Sequence, residues 1–104
     1  MEIDVAILAR MRQDGEPHLV LDVREPWERA ICALRDSLHI PMRELPARID
    51  ELPREDTVVV LCHHGFRSQQ VTNWLRQNGY GNVVNLNAGI DAWARQIDSS
   101  MATY

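Results

Sequence analysis

The chain contains no lysine; all eleven of its basic residues are arginine. Schiff-base catalysis on a lysine amine is excluded, and with it the usual lysine anchor for pyridoxal phosphate. Cysteine is also scarce, with Cys32 and Cys62 standing thirty residues apart. These two could close one bridge. However, no basic stretch followed by an apolar one opens the sequence, so no secretory signal is evident, and both thiols are expected to be reduced in a cytoplasmic protein. No apolar run approaches the length that spans a membrane. A net charge of −4 without a basic cluster argues against nucleic acid as a partner. Repeats and low-complexity tracts are absent. The 104 residues, 45% hydrophobic and 25% charged, suit one globular domain with a single core over 1–104.

What is present centres on residues 58 to 71. Val58, Val59, Val60 and Leu61 form a short, β-branched apolar run, the pattern of a strand buried on both faces. Val71, Trp74 and Leu75 then recur at helical spacing. Cys62 is the first residue off the strand, and the chain must turn between Cys62 and Arg67. A loop leading into a helix aims several unpartnered backbone N–H groups at one point, which suits an anion. Gly65 permits a backbone conformation closed to other residues, and Arg67 adds a permanent positive charge. The pattern describes a nucleophilic thiolate in an anion cradle, closed by Ser68. The alternative is an inert, buried cysteine.

Along the rest of the chain, Ile3, Ile7, Leu8 and Met11 predict one face of a helix stopped at Gly15. Residues 18–23 predict a strand, Pro26 starts a helical turn, and residues 38–40 form a brief strand ended by Pro41. Leu45, Ile49 and Leu52 fit a helical stripe over 42–52. A helix from the Cys62 loop ends at Asn78-Gly79, residues 82–86 form a strand, and Ile90, Trp93, Ala94 and Ile97 mark a last helix. The expected fold class is therefore α/β, a small parallel sheet flanked by helices on both faces, with ligands bound beyond the carboxyl ends of the strands, where Cys62 lies. Trp27, Trp74 and Trp93 are expected in the core. The tail, 98–104, has little pattern and is expected to be loosely held.

Cys62-x-x-Gly65-x-Arg67-Ser68 resembles the active loop of the rhodanese-like sulfurtransferases. Leu21-Asp22-Val23-Arg24-Glu25 is similar to that family's D-x-R segment, and Ser37-Leu38-His39-Ile40-Pro41 to its h-I-P segment. Residues 85–93, ending Ala88-Gly89-Ile90-Asp91-Ala92-Trp93, resemble its closing G-G-x-x-x-W. The order and spacing are those of a single rhodanese module. The resemblance implies that Cys62 takes sulfane sulfur from a donor as a persulfide and passes it to a thiophilic acceptor. The cradle would comprise His63, His64, Gly65, Phe66, Arg67 and Ser68, and Asp22 and Arg24 would brace it. No cofactor and no metal is implied; His63 and His64 supply two imidazoles beside the nucleophile but no ligand set at zinc spacing.

The partners implied are thiosulfate, cyanide, thiols or a persulfide-donating protein such as a cysteine desulfurase. The runner-up is a sulfur-relay module with little small-molecule turnover. A phosphatase or arsenate reductase comes third, since in the related phosphatases the loop is one residue longer and carries an acidic residue. Three departures from the family pattern stand out. Glu28 occupies a position often basic in thiosulfate users, and its carboxylate is expected to repel that donor. Ala88 replaces the first glycine of the G-G pair, and Arg35-Asp36 replaces a Pro-Gly. Cys32 is either a resolving thiol or, as favoured here, a small buried residue.

Overall fold

The computed structural model describes residues 1–104. Its organising element is strand β4 (Thr57–Leu61), with Val58, Val59, Val60 and Leu61 wholly buried. Successive strand residues point to opposite faces. Val58, Val60 and the following Cys62 enter a core with Leu21, Val71, Leu75 and Val83; Val59 and Leu61 enter a second core with Leu8, Val20, Ile90 and Trp93. Burying each such side chain contributes about 1.5–3 kcal/mol, so this run anchors both halves of the molecule. Around it, β1 (Glu2–Ile3), β2 (His18–Asp22), β3 (Ser37–His39) and β5 (Val83–Leu86) complete an all-parallel sheet in the order β1-β5-β4-β2-β3. Parallel neighbours require crossovers that cover the sheet. Those covers are α1 (Val5–Asp14), α2 (Pro26–Ile31), α3 (Leu45–Arg48), α4 (Phe66–Gln77) and α5 (Gly89–Gln96). The expected α/β class and parallel sheet are both present. No helix is long and apolar enough to cross a membrane.

Several local expectations are corrected. Ile3 belongs to edge strand β1, paired with Leu86, and not to the first helix. That helix begins after Asp4, whose side chain accepts a hydrogen bond from Ile7 N at 2.9 Å. With Ile3 removed from the stripe, Val5 and Leu8 form the buried face and Ile7 is exposed. Residues 42–52 are not one helix. A 3-10 turn, the short α3 and a second 3-10 turn follow one another, because Pro46 has no N–H and its ring blocks a continuous ladder. Leu45 and Leu52 are nevertheless buried. Trp27 is 62% exposed and Trp74 half-buried, so of the three tryptophans only Trp93 is core.

Two of the three motif departures sit at strained positions. Asp36 and Ala88 both have φ of 63°. Aspartate enters that left-handed region more readily than most residues, whereas alanine there costs about 1–2 kcal/mol. The glycine retained beside Ala88 has no alternative, as the site geometry shows.

Candidate active site

The end of β4 and the start of α4 define the site. Cys62 is 1% exposed, and its Sγ lies at the floor of the loop. Gly65 N at 3.1 Å and Ser68 N at 3.4 Å both donate to Sγ, with Ser68 Oγ at 3.2 Å. Gly65 makes this possible: it stands at φ 100° as the residue before α4, and a Cβ there would lie 3.0 Å from Ala88 N. No side chain caps α4, so its first N–H groups face the loop mouth. Ser68 is fully buried, and Thr72 Oγ1 donates to its carbonyl at 2.8 Å. Ser68 thus supplies two of the three contacts to sulfur. Phe66, in contrast, projects into solvent at 80% exposure, beside α4 residues Gln70, Val71 and Trp74, which with Met42, Leu45 and Pro46 line a groove of about 270 Å³.

A second layer docks α5 onto this loop. Ile90 N donates to Cys62 O at 2.9 Å and Asp91 N to His63 O at 3.1 Å. The approach is close enough that a Cβ on Gly89 would stand 2.4 Å from both carbonyl oxygens. His63 is stacked between His64 and Tyr104, with ring centroids 3.8 Å away on each side. Burial, then the neighbouring His64, lowers the His63 pKa, against the opposing pull of Asp91. His63, His64 and Asp91 each bring a potential ligand atom within 4.8 Å of the others. The two imidazoles are stacked at 30° to each other, and Asp91 is already paired with Arg95 at 3.0 Å.

The arginines behave differently from the sequence expectation. Arg67 does not present a free charge to the mouth; it forms a two-point pair with Glu28 at 2.6 and 2.7 Å. Glu28, in turn, is no open carboxylate able to repel an anion: it is 2% exposed and also receives Tyr104 Oη–H at 2.7 Å and, at Oε1, Glu25 N at 3.0 Å. The two charges largely cancel beside the loop. Burial alone would raise the Glu28 carboxyl, but hydrogen bonds from Arg67, the backbone and Tyr104 outweigh it and bring it from 4.5 to about 2. This value lies below the unfolded one, so the stabilisation is present above about pH 4.5 and is lost as pH falls toward 2. Glu28→Gln should therefore flatten the acid limb of stability, measured as the urea midpoint between about pH 5 and 3. An unchanged limb would show that this pair carries none of the acid sensitivity.

Asp22 and Arg24 are wholly buried at the end of β2 and paired at 2.8 Å. Arg24 also donates to Cys32 O at 2.7 Å, Glu28 O at 3.3 Å and Tyr104 Oη at 3.1 Å. Burial disfavours the guanidinium, but Asp22 and Tyr104 more than compensate and its pKa is raised. This pair holds α2 and so the Glu28 that grips Arg67. The tail is likewise not loose. Met101 packs against the second core and Tyr104 is hydrogen-bonded at both Arg24 and Glu28. Cys32 is half-buried and unbridged, 3.9 Å from Arg24 Nη1. Tyr104 is the residue of this site that sequence reasoning missed, and Glu28 the one it named but gave the wrong role, an open carboxylate in place of the partner of Arg67. Glu28 at the third position of α2 signals only a local capping contact, and Tyr104 sits in a stretch without periodicity.

The arrangement has known counterparts. A model of the rhodanese-like domain matches residues 4–96. A protein named sulfurtransferase from Allochromatium vinosum is 44% identical over 94 residues, covering 90% of this chain and 88% of that one. The adenylyltransferase and sulfurtransferase MOCS3-2 of Zea mays is 33% identical over 102 residues, covering 91% of this chain but only 21% of that longer protein. Among solved structures, the human single-domain sulfurtransferase TSTD1 superposes with a TM-score of 0.79 at 25% identity, covering 91% of this chain and 96% of that one. The family model spans most of the chain and relatives named for sulfur transfer match nearly its whole length, so the chain belongs to the rhodanese-like domain family.

Proposed function

We propose that the protein is a rhodanese-type sulfurtransferase in which Cys62 carries the sulfur. The Cys62 thiolate attacks the outer, sulfane sulfur of a donor; the donor's sulfur–sulfur bond breaks and its electron pair leaves with the departing group, sulfite in the case of thiosulfate. The product is a Cys62 persulfide bearing the negative charge. A nucleophile such as cyanide or a thiol then takes the outer sulfur and returns the thiolate. The observation that carries this reading is the set of contacts on Sγ: Gly65 N and Ser68 N as donors, with the Ser68 hydroxyl at 3.2 Å able to donate to a thiolate. The backbone N–H groups of residues 63–67 around the mouth suit the terminal sulfur of the persulfide. No cofactor enters these steps, and two unbridged thiols suit a reducing, cytoplasmic setting.

A relay from a protein donor is the second reading, favoured by the exposed Phe66 beside the mouth. Glu28 no longer argues against thiosulfate, because its charge is taken up by Arg67. The same pairing weakens the phosphatase or arsenate reductase reading, which needs that guanidinium on the substrate oxyanion. Intact-protein mass separates the possibilities. After incubation with thiosulfate, or with a cysteine desulfurase and cysteine, the protein should gain about 32 Da, reversibly with dithiothreitol, and Cys62→Ser should gain nothing. Loading only by the protein donor selects the relay. No gain from either donor overturns the sulfur reading.

A further inference from the structure

Tyr104 touches the Cys62 loop directly at His63 and, through Glu28, reaches its other end at Arg67. Its ring stacks on His63, the residue after the nucleophile, at 3.8 Å and 10° between planes. Its hydroxyl donates to Glu28 Oε2 at 2.7 Å, and Glu28 grips Arg67, next to Ser68, through both carboxylate oxygens. The same oxygen accepts from Arg24 Nη1 at 3.1 Å, so the phenol's single hydrogen and a lone pair are both used. Burial pushes this phenol up to about 12, and it remains a donor to Glu28 at neutral pH. Met101 and the Tyr104 ring both pack against the second core, so the tail has apolar anchoring besides these polar and stacking contacts. What the contacts add is a tie between two loop ends and the buried Asp22–Arg24 pair.

We propose that Tyr104 is a positioning residue for Cys62, its ring fixing His63 and its hydroxyl fixing the Glu28–Arg67 pair, so that Gly65 N and Ser68 N stay on Sγ. This rests on the reading of Cys62 as the sulfur carrier. The donors at risk lie within a short stretch of chain from the two ties: Ser68 follows Arg67 directly, and Gly65 lies between it and His63. Residues 62–65, between β4 and α4, have no regular structure to fix their dihedrals, so this short segment depends on the tie at His63 and on the seating of the first turn of α4 at Arg67.

The test compares Tyr104→Phe, Tyr104→Ala and Met101→Ala with the parent. Amide hydrogen exchange is followed at Gly65 and Ser68, with Val60 in β4 as reference, and the rate of persulfide loading is measured alongside. In Tyr104→Ala, exchange at Gly65 and Ser68 should accelerate about three- to tenfold, the size of one net hydrogen bond, with Val60 unchanged and loading slowed by a similar factor. Tyr104→Phe keeps the ring on His63 and should fall between. Met101→Ala removes apolar packing of the tail while keeping every contact of Tyr104, and should leave Gly65 and Ser68 protected. Unchanged protection in Tyr104→Ala, an equal loss in Met101→Ala, or parent-like loading despite lost protection would each overturn the proposal. If Tyr104→Ala does not fold, Tyr104→Phe decides, a parent-like result overturning it. Hydrogen exchange needs no sulfur donor, so a parent protein that fails to load overturns the functional reading while this geometry is still judged.

Discussion

Gly89→Ala is expected to destabilise the protein by about 3 kcal/mol or more and to displace the Cys62 loop in whatever remains folded. Two terms add. Gly89 has φ of 61°, a region that costs an alanine about 1–2 kcal/mol. The new methyl would also stand 2.4 Å from the carbonyl oxygens of Cys62 and His63. Those atoms are backbone and cannot rotate away. They are also the acceptors of Ile90 N and Asp91 N, so relieving the clash means breaking the docking of α5 onto the loop. Gly81→Ala is the control, since nothing lies within 4 Å of its Cβ position, and it should change stability by no more than about 0.5 kcal/mol. Urea denaturation of both variants checks the pair of values. A Gly89→Ala protein as stable as Gly81→Ala would mean that α5 and the loop yield more easily than their hydrogen bonds imply.

Asp22→Ala should cost about 3–5 kcal/mol, because it strands a buried guanidinium. Arg24 is fully buried, with Asp22 as its only carboxylate partner at 2.8 Å; its remaining oxygen acceptors, Glu28 O, Cys32 O and Tyr104 Oη, carry no formal charge. Replacing both partners with apolar residues, Asp22→Leu with Arg24→Met, should cost less than the sum of the two single changes, since no fully buried charge is then left unpaired; Arg29, which also meets Asp22 at 3.2 Å, is partly exposed and keeps Ser37 Oγ. For a domain whose total stability is typically about 5–15 kcal/mol, the single change threatens folding itself. The double variant also separates support from chemistry. It should fold, but without Arg24 on Cys32 O and Tyr104 Oη it should hold Glu28 and the loop less firmly and load sulfur more slowly than the parent. Equal loading rates would limit the Asp22–Arg24 pair to stability alone.

How much of this was legible beforehand follows the range of the interactions. Val58 to Leu61 announce a strand buried on both faces because alternation and β-branching are properties of neighbouring residues. The turn from Cys62 into α4, with Gly65 at its left-handed position, is equally local. So are the start of α2 at Pro26 and the end of α1 at Gly15. The segment at 42–52 shows the limit of periodicity, for Leu45, Ile49 and Leu52 keep a helical stripe while Pro46 breaks the ladder beneath it.

The sequence by itself determined the α/β alternation, the central strand, and a cysteine placed where a strand opens into a helix, since each depends on residues within one or two turns of chain. Tertiary structure alone decided where the charges around that cysteine go. Arg67 meets Glu28 across 39 residues, and Tyr104 reaches Glu28 and Arg24 across 76 and 80. Strand β1 likewise exists only because β5 offers Ile3 a partner in Leu86. Such pairings leave no periodic mark in the chain. Their energy is realised only when the sheet brings distant residues together in a buried, low-dielectric setting, where an unpaired charge is costly and a paired one is held fast.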